Sequence, residues 1–177
     1  MPPLYAWHGT GIAPERAGIR HNMIVPYGAY TCSDGAVIFS VQNEREWRRL
    51  CTDVLELPAL ADDPRFATNA ERLRNRVELE RIVDECLGRY TQLEALERLD
   101  HAGVPTGAVN DVAAVARHPQ LAARNRWVDV KSPGGVIPAL LPPHNLQHAT
   151  PRMGPVPALG EHTQEILAGL GLAEVKS

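Results

Sequence analysis

Two runs of β-forming residues stand early in the chain, Tyr27–Cys32 and Ala36–Val41, with Ser33-Asp34-Gly35 between them. An Asp-Gly pair between two such runs is a strong hairpin signal, because glycine tolerates the positive φ that the turn requires. The preceding residues, 1–25, mix glycine, proline and single apolar residues without a helical or strand period. The pattern therefore predicts an extended linker over residues 1–25, followed by an antiparallel hairpin.

Three amphipathic helices are predicted after the hairpin, because apolar residues recur there at helical spacing. Gly88 and Gly103 stand where the second and third of these helices would end. The arginines at positions 72, 74 and 76 form a charged cluster within the second helix, which we interpret as a solvated face. The predicted N-terminal caps are Asn43 with Glu46, Thr68 or Asn69, and Thr91 with Glu94.

The rest of the chain is richer in proline and glycine, with weaker patterns. It contains a short predicted helix near 111–117, a strand at Trp127–Val130, a turn at Ser132–Gly135 and a final helix from His162 or Thr163. We therefore predict an α+β fold, a small antiparallel sheet with packed helices. Its small α+β domain would cover residues 26–118, and residues 119–177 would form an extended, loop-rich C-terminal arm.

Composition excludes several function classes. The 177 residues carry 18 Lys and Arg against 21 Asp and Glu, a net charge of −3. This balance offers no basic surplus for a phosphate backbone, so we expect no nucleic-acid partner. No apolar run reaches membrane-spanning length, and the first residues lack a signal-peptide pattern, so we expect no membrane association and a cytoplasmic location.

The cysteines support neither a disulfide framework nor a metal site. Cys32, Cys51 and Cys86 are odd in number, widely spaced and outside any CxxC motif. His144 and His148 have helical ligand spacing, but nearby prolines remove the helix that would give this spacing its meaning. We predict reduced thiols and no metal.

One local group of residues could take part in binding or catalysis. It is Gln42-Asn43-Glu44, at the junction between a predicted strand and a predicted helix. Polar residues in such junctions often bind ligands, and a helix start favours an anion. The alternative is that Asn43 only caps the helix and Glu44 is an ordinary first-turn acid. From the residues alone, this structural alternative is favoured.

Several segments, in order, resemble the family III CoA-transferases, the group that includes carnitine-CoA transferases and α-methylacyl-CoA racemases. The resemblance runs from about Gly11 to Leu172 and is specific because the segments keep their order. The segments are His21–Tyr27, Ser33–Gly35, Val41–Trp47, Asp63–Asn69 with Arg72 and Asn75-Arg76, Val104–Asn110, His118–Gln120 with Ala123-Arg124, and Pro157–Thr163.

The resemblance covers only the C-terminal part of that family's chains. It implies that the Rossmann-like α/β core, most of the CoA site and the nucleophilic aspartate are not in this sequence, since no acid here matches that aspartate. In the family, the aspartate takes the acyl group from a CoA thioester as a mixed anhydride, then becomes an enzyme–CoA thioester that an acceptor carboxylate attacks. The chain alone would therefore lack the reaction, and its substrates would be an acyl-CoA and a small carboxylate, with no covalently bound cofactor.

The resemblance also assigns candidate site residues. It implies that the loop at Gln42-Asn43-Glu44 covers the aspartate as a lid, and that Glu44 and Tyr27 line the active site as in the racemase branch. The motif Gln42–Trp47 resembles transferases of small dicarboxylates most, so Gln42 and Asn43 would hydrogen-bond an acyl or acceptor carboxylate. Glu44 is the supporting catalytic candidate, and Tyr27, Gln42 and Asn43 are the substrate-binding candidates.

Three functional alternatives remain at this point. The first is the C-terminal part of a CoA-transferase, completed by an N-terminal half in the same or a separate chain and forming an interlocked homodimer. The second is an acyl-CoA racemase or isomerase on the same scaffold, which needs no second carboxylate. The third is a non-catalytic binding or association domain, which we expect to lack a large exposed apolar patch.

Overall fold

The computed structural model describes residues 2–13, 15–145 and 147–172. It has the predicted α+β character, with helices and small antiparallel sheets. A π-helical turn, Leu50–Val54, continues the helix Glu44–Arg49, and a 3₁₀ helix follows at Pro58–Asp62. The helices are α1 Pro2–Thr10, α2 Glu44–Arg49, α3 Asn69–Arg74, α4 Arg76–Leu87, α5 Gln92–His101, α6 Val112–Ala116, α7 Pro119–Ala123 and α8 Thr163–Gly169; the strands are β1 Tyr27–Thr31, β2 Ala36–Ser40, β3 Thr106–Ala108, β4 Trp127–Ser132 and β5 Gly135–Leu140.

The predicted hairpin is confirmed as β1 and β2. These strands pair antiparallel with Tyr27 opposite Ser40, and the turn closes with the Cys32 N–H donating to the Gly35 carbonyl at 2.8 Å. β3 adds to the other side of β2, which gives the order β1-β2-β3. The short sheet therefore has β2 at its centre, with β1 and β3 as its two edge strands.

The hydrophobic core lies between this sheet and the helices that follow it. Alternate residues of the strands point inward, as the period of a half-buried strand requires. α4 and α5 contribute one apolar stripe each, and α2 contributes a fully enclosed indole. The largest buried apolar side chains are Tyr30, Phe39, Trp47, Leu50, Phe66, Leu79, Leu87 and Leu99.

The second predicted helix is interrupted where the sequence indicated continuity. α3 ends at Arg74 and α4 begins at Arg76, because Asn75 takes a non-helical conformation at φ −102° and ψ 26°. The Asn75 side-chain amide donates to the carbonyls of Arg65 and Glu71, at 2.9 and 3.0 Å. A short amide side chain that bonds to nearby backbone competes with helix continuation.

Two further expectations need correction. The extended linker predicted for residues 1–25 is wrong for Pro2–Thr10, which is helix α1; proline is tolerated in a first helical turn, so its presence there does not oppose a helix. The predicted C-terminal arm contains a second antiparallel hairpin, in which β5 pairs with the predicted strand β4. The sequence pattern did not predict β5, because Pro138 lies inside its apolar run and a proline in that position argues against a strand.

Contacts divide the chain into two compact units, Met1–Val109 and Asn110–Ser177. The first unit holds α1 to α5 with the three-stranded sheet, and the second holds α6 to α8 with the β4–β5 hairpin. Among the described residues, no helix combines the length and the apolar character that crossing a membrane requires.

The capping box of α5 is formed as the sequence predicts. The Thr91 hydroxyl accepts from the Glu94 N–H at 3.3 Å, and the Glu94 carboxylate accepts from the Thr91 N–H at 2.8 Å. These bonds lower the pKa of Glu94 below its ordinary value of 4.5, first through the backbone bond from Thr91 and then through the Thr91 hydroxyl. The carboxylate form is therefore the one that stabilises the start of α5.

This geometry predicts a pH-dependent effect of Glu94→Gln. Because the folded-state pKa is lowered, the Glu94 contribution is complete above about pH 4.5 and is lost as pH falls through the lowered pKa. We expect the urea midpoint of the variant to lie below that of the wild type at about pH 7, and the gap to narrow as pH falls below about 4.5. Glu97→Gln on the same helix is the matched control, and a gap that stays constant with pH would contradict the assignment.

Candidate functional site

The four candidate residues lie at one end of the β1–β2 hairpin, opposite the Asp34-Gly35 turn. Tyr27 begins β1 and pairs with Ser40, the last residue of β2. The Val41 N–H donates to the Pro26 carbonyl at 3.0 Å, which extends the pairing by one step. The strand end then delivers residues 42–44 directly into the start of α2.

Asn43 is the cap of α2, as the sequence predicts. Its side-chain oxygen accepts from the Glu46 N–H at 3.0 Å, and its amide donates to the Glu46 carboxylate at 2.7 Å. The other Glu46 oxygen accepts from the Gln42 N–H at 2.7 Å, so the returning bond of the cap reaches one residue further back than in a standard capping box. The structural interpretation of Asn43 is confirmed, and its substrate-binding role stays a prediction.

Glu44 has a partner that the sequence pattern did not indicate. Both of its carboxylate oxygens bind the Arg72 guanidinium, at 3.1 Å from Nη1 and 3.0 Å from Nη2. The Arg72 side chain is only 2% exposed, whereas the Glu44 side chain is 58% exposed. The pair therefore presents its acidic partner to solvent and keeps its basic partner inside the fold.

The solvated-face interpretation of the arginine cluster is wrong for Arg72. Besides Glu44, its guanidinium donates from Nε to the Val25 carbonyl and from Nη1 to the Phe66 carbonyl, both at 3.0 Å. It also stands over the Trp47 indole, 4.8 Å from the ring centroid. These partners satisfy a charge that would otherwise be costly to bury. Arg74, by contrast, is exposed and pairs with Glu71.

A second side chain of α3 holds the segment before β1. The Asn69 amide donates to the Met23 carbonyl at 2.9 Å, and its oxygen accepts from the Val25 N–H at 3.1 Å. The sequence predicts Asn69 as a possible helix start, but it does not indicate these bonds to the segment before β1. The i, i+3 spacing of Asn69 and Arg72 on one helix face was the available signal.

Tyr27 lies beside a shallow cavity. Its ring stacks on His21, with ring centroids 5.0 Å apart and planes at 13°. It lines a surface depression of about 260 Å³ together with residues of β2 and the β3 region. Ser40 lines the same depression, and its Oγ accepts from the Gln42 amide at 3.3 Å, so Gln42 contacts one of the residues that line it.

The described part of the chain brings no three His, Cys, Asp or Glu side chains into a group that could hold a metal ion. The three cysteines are free and buried. Burial raises the pKa of Cys51 to about 12, although the nearby Arg72 and Arg48 guanidinium groups lower it. Burial also raises the pKa of Cys32 and Cys86.

We therefore expect the native chain to resist thiol reagents. A thiol with a raised pKa and no solvent access has little reactive thiolate, so dithionitrobenzoate should react slowly with the folded protein at about pH 8. In denaturant, all three cysteines should react at once. Cys51 should be the slowest, which mass mapping of partly labelled protein would show, and rapid native labelling of Cys51 would contradict its burial.

Comparison with known proteins decides the family of this chain. The sequence model of CoA-transferase family III matches residues 1–163. The chain belongs to CoA-transferase family III. The resemblance seen in the sequence is thereby confirmed.

Relatives and solved structures in CoA-transferase family III agree with this assignment. The chain is 34% identical over 167 residues to the succinate–glutarate CoA-transferase of Agrobacterium fabrum, covering 93% of this chain and 42% of that protein. It is 36% identical over 135 residues to the acetyl-CoA:oxalate CoA-transferase of Acetobacter aceti, covering 76% and 34%. A CaiB/BaiF family protein from Brucella suis matches with a TM-score of 0.79 and 33% identity, covering 96% and 44%. The chain thus spans less than half the length of each of these three proteins.

Proposed function

We propose that this chain is the C-terminal part of an acyl-CoA:carboxylate CoA-transferase that moves CoA between a thioester and a small dicarboxylic acid. The observation that carries the proposal is the family match over residues 1–163, combined with relatives named for succinate, glutarate and oxalate. Because the chain spans 42% of the Agrobacterium relative, the nucleophilic aspartate and most of the CoA site would lie in an N-terminal portion. That portion would be supplied by the same or a separate chain in an interlocked homodimer.

The proposed reaction exchanges one CoA thioester for another, through two mixed anhydrides and one enzyme–CoA thioester, without net hydrolysis. The aspartate carboxylate attacks the acyl-CoA carbonyl and releases CoA thiolate, which attacks the aspartyl carbonyl of the resulting anhydride and releases the donor acid. The acceptor carboxylate then attacks the enzyme–CoA thioester, and the expelled thiolate returns to the acceptor carbonyl of the new anhydride, regenerating aspartate. Every intermediate is sensitive to water, so a cover over the aspartate is needed.

Residues 42–44 would supply this cover. They follow β2 at the strand end and are fixed by the α2 cap and by the Glu44–Arg72 pair. Glu44 would present a fixed carboxylate to the reacting groups. Tyr27 would border the substrate from the cavity that it lines, and Gln42, bonded to Ser40 of that cavity, would hydrogen-bond a substrate carboxylate. Asn43 would contact a carboxylate only with the part of its amide that the cap leaves available.

Two alternatives are weaker. A racemase or isomerase of the same family would exchange the α-proton of an acyl-CoA, whereas the reported relatives are named for transfer to a second acid. A non-catalytic domain would need a surface adapted to solvent. Neighbouring apolar side chains are exposed instead on α1, at Leu4, Tyr5 and Trp7, and on β5, at Val136 and Ile137; we take each of these groups as a surface that further protein would cover.

The test begins with the native protein isolated from its source under mild conditions. We expect an intact species heavier than 19.4 kDa, or a stoichiometric second chain that carries the missing portion. That species should convert succinyl-CoA and glutarate into glutaryl-CoA and succinate, as measured by chromatography of the CoA esters, with succinyl-CoA alone as the control. A lone 19.4 kDa chain without transfer would overturn the proposal. Loss of α-deuterium from an acyl-CoA without an acceptor acid would favour the racemase alternative.

A further inference from the structure

We propose that Arg72 is a positioning residue of the transferase site, which fixes the Glu44 carboxylate and the segment before Tyr27 through one buried guanidinium. This inference rests on the proposed function and deepens it. It concerns a residue that does not reach the reacting groups, since its side chain is 2% exposed.

Arg72 holds the Glu44 carboxylate in a paired contact. Two guanidinium nitrogens meet the two carboxylate oxygens at 3.0 and 3.1 Å, the paired arrangement that restrains the plane of a carboxylate. Burial over Trp47 and bonds to two backbone carbonyls restrain the guanidinium in turn. Glu44 therefore cannot rotate freely, although more than half of its side chain faces solvent.

The contact with Arg72 leaves other acceptor positions of the Glu44 carboxylate free. A carboxylate has about four lone-pair positions, and the fork of Arg72 occupies one on each oxygen. The remaining acceptor positions lie on the exposed part of Glu44. A substrate group that donates there would meet an acceptor whose direction is already set, which reduces the ordering that binding and catalysis require.

Arg72 also binds the segment that precedes Tyr27. The Arg72 Nε–H donates to the Val25 carbonyl, two residues before Tyr27, and Asn69 binds the N–H of the same residue. One guanidinium thus contacts both segments from which the candidate site residues extend. A shift of Arg72 would change the positions of Glu44 and Tyr27 together.

Lysine cannot reproduce these contacts. Arginine offers a planar fork of five N–H donors, whereas lysine has one ammonium with three donors and no fork. Arg72→Lys therefore keeps the charge and removes the paired contact with Glu44. A residue needed only for charge would tolerate this change, and a positioning residue would not.

The experiment compares Arg72→Lys with Arg74→Lys in the complete native enzyme, by succinyl-CoA:glutarate transfer. Arg74 lies on the same helix, is exposed and contacts Glu71, so its replacement should leave the rates unchanged. For Arg72→Lys we expect kcat to fall by about 10²-fold while KM for the acyl-CoA changes less than about threefold, the pattern of a misplaced group in the transition state. Hydrolysis of succinyl-CoA without transfer should rise, because the cover over the intermediates loosens.

A second variant protects the test against misfolding. Glu44→Asp shortens the exposed partner and leaves Arg72 with a nearby negative charge, so it should fold and show the same selective loss of kcat. Normal kcat in a folded Arg72→Lys or Glu44→Asp enzyme would overturn the positioning role while the proposed function stands. A wild-type enzyme without transfer activity would overturn the proposed function, and the positioning role with it.

Discussion

Arg72→Ala is expected to destabilise the chain by about 3–5 kcal/mol, a large fraction of the 5–15 kcal/mol typical of a folded domain. The variant leaves the Val25 and Phe66 carbonyls without their buried donor, and each orphaned group costs about 1–3 kcal/mol. It also removes the side chain that packs over Trp47 and leaves a cavity there. The freed Glu44 adds little, because water reaches its carboxylate.

Urea unfolding followed by circular dichroism would measure this effect. Glu44→Gln should cost less, about 1–2 kcal/mol, because the buried guanidinium keeps its two carbonyl partners and an amide oxygen still accepts. Arg74→Ala is the matched control and should stay within about 0.5 kcal/mol of the wild type. An Arg72→Ala protein as stable as the control would show that the buried network does not form.

Gly28→Ala should give the second large loss, about 2–4 kcal/mol. Gly28 lies in β1 with φ +156°, a conformation that side chains rarely adopt. A Cβ there would lie 3.0 Å from the Cα of Arg20 and 3.1 Å from the carbonyl oxygen of Ile19. Because both atoms belong to the backbone, relief requires the 19–21 segment to move, and His21 would then leave its stacked position on Tyr27.

Gly107→Ala separates this clash from the general effect of adding a methyl group to the sheet. Gly107 lies in the neighbouring strand β3, and its Cβ would meet only the Ile38 methyl group at an ordinary 3.7 Å. We expect thermal unfolding to show a large drop in Tm for Gly28→Ala and little change for Gly107→Ala. Equal drops in the two variants would rule out close approach of the 19–21 segment as the cause.

The features that were predictable from sequence are those governed by near neighbours. The Asp34-Gly35 turn, the Asn43 cap and the Thr91–Glu94 capping box each depend on residues within a few positions, and all form as expected. The α+β class follows from the same local signals. A residue whose partners are close in sequence carries its structural reason in the sequence itself.

Arg72 shows why the rest could not be predicted. Its charge and its neighbours Arg74 and Arg76 are typical of an exposed helix face, and the helical pattern contains no sign of burial. Its partners Val25 and Glu44 lie 47 and 28 residues away, so only tertiary structure brings them within reach.

The candidate site divides in the same way. Sequence reasoning found the strand-to-helix junction at 42–44, since strand ends and caps are local features. It missed the tethers Arg72 and Asn69, which determine how that junction and the segment before Tyr27 are held. The family match supports the proposed class of chemistry, which local geometry alone would not distinguish from an ordinary capped helix.

The contacts of Arg72 also connect parts of the chain that are far apart in sequence. The guanidinium is a node that closes two nested loops of the chain, one spanning 47 residues and the other 28. The entropy of closing a loop grows only with the logarithm of its length, at about 0.6 kcal/mol for each doubling. Added residues in the exposed turns between Val25 and Arg72 should therefore raise the closure cost only slightly, whereas loss of the Arg72 guanidinium would remove both closures at once.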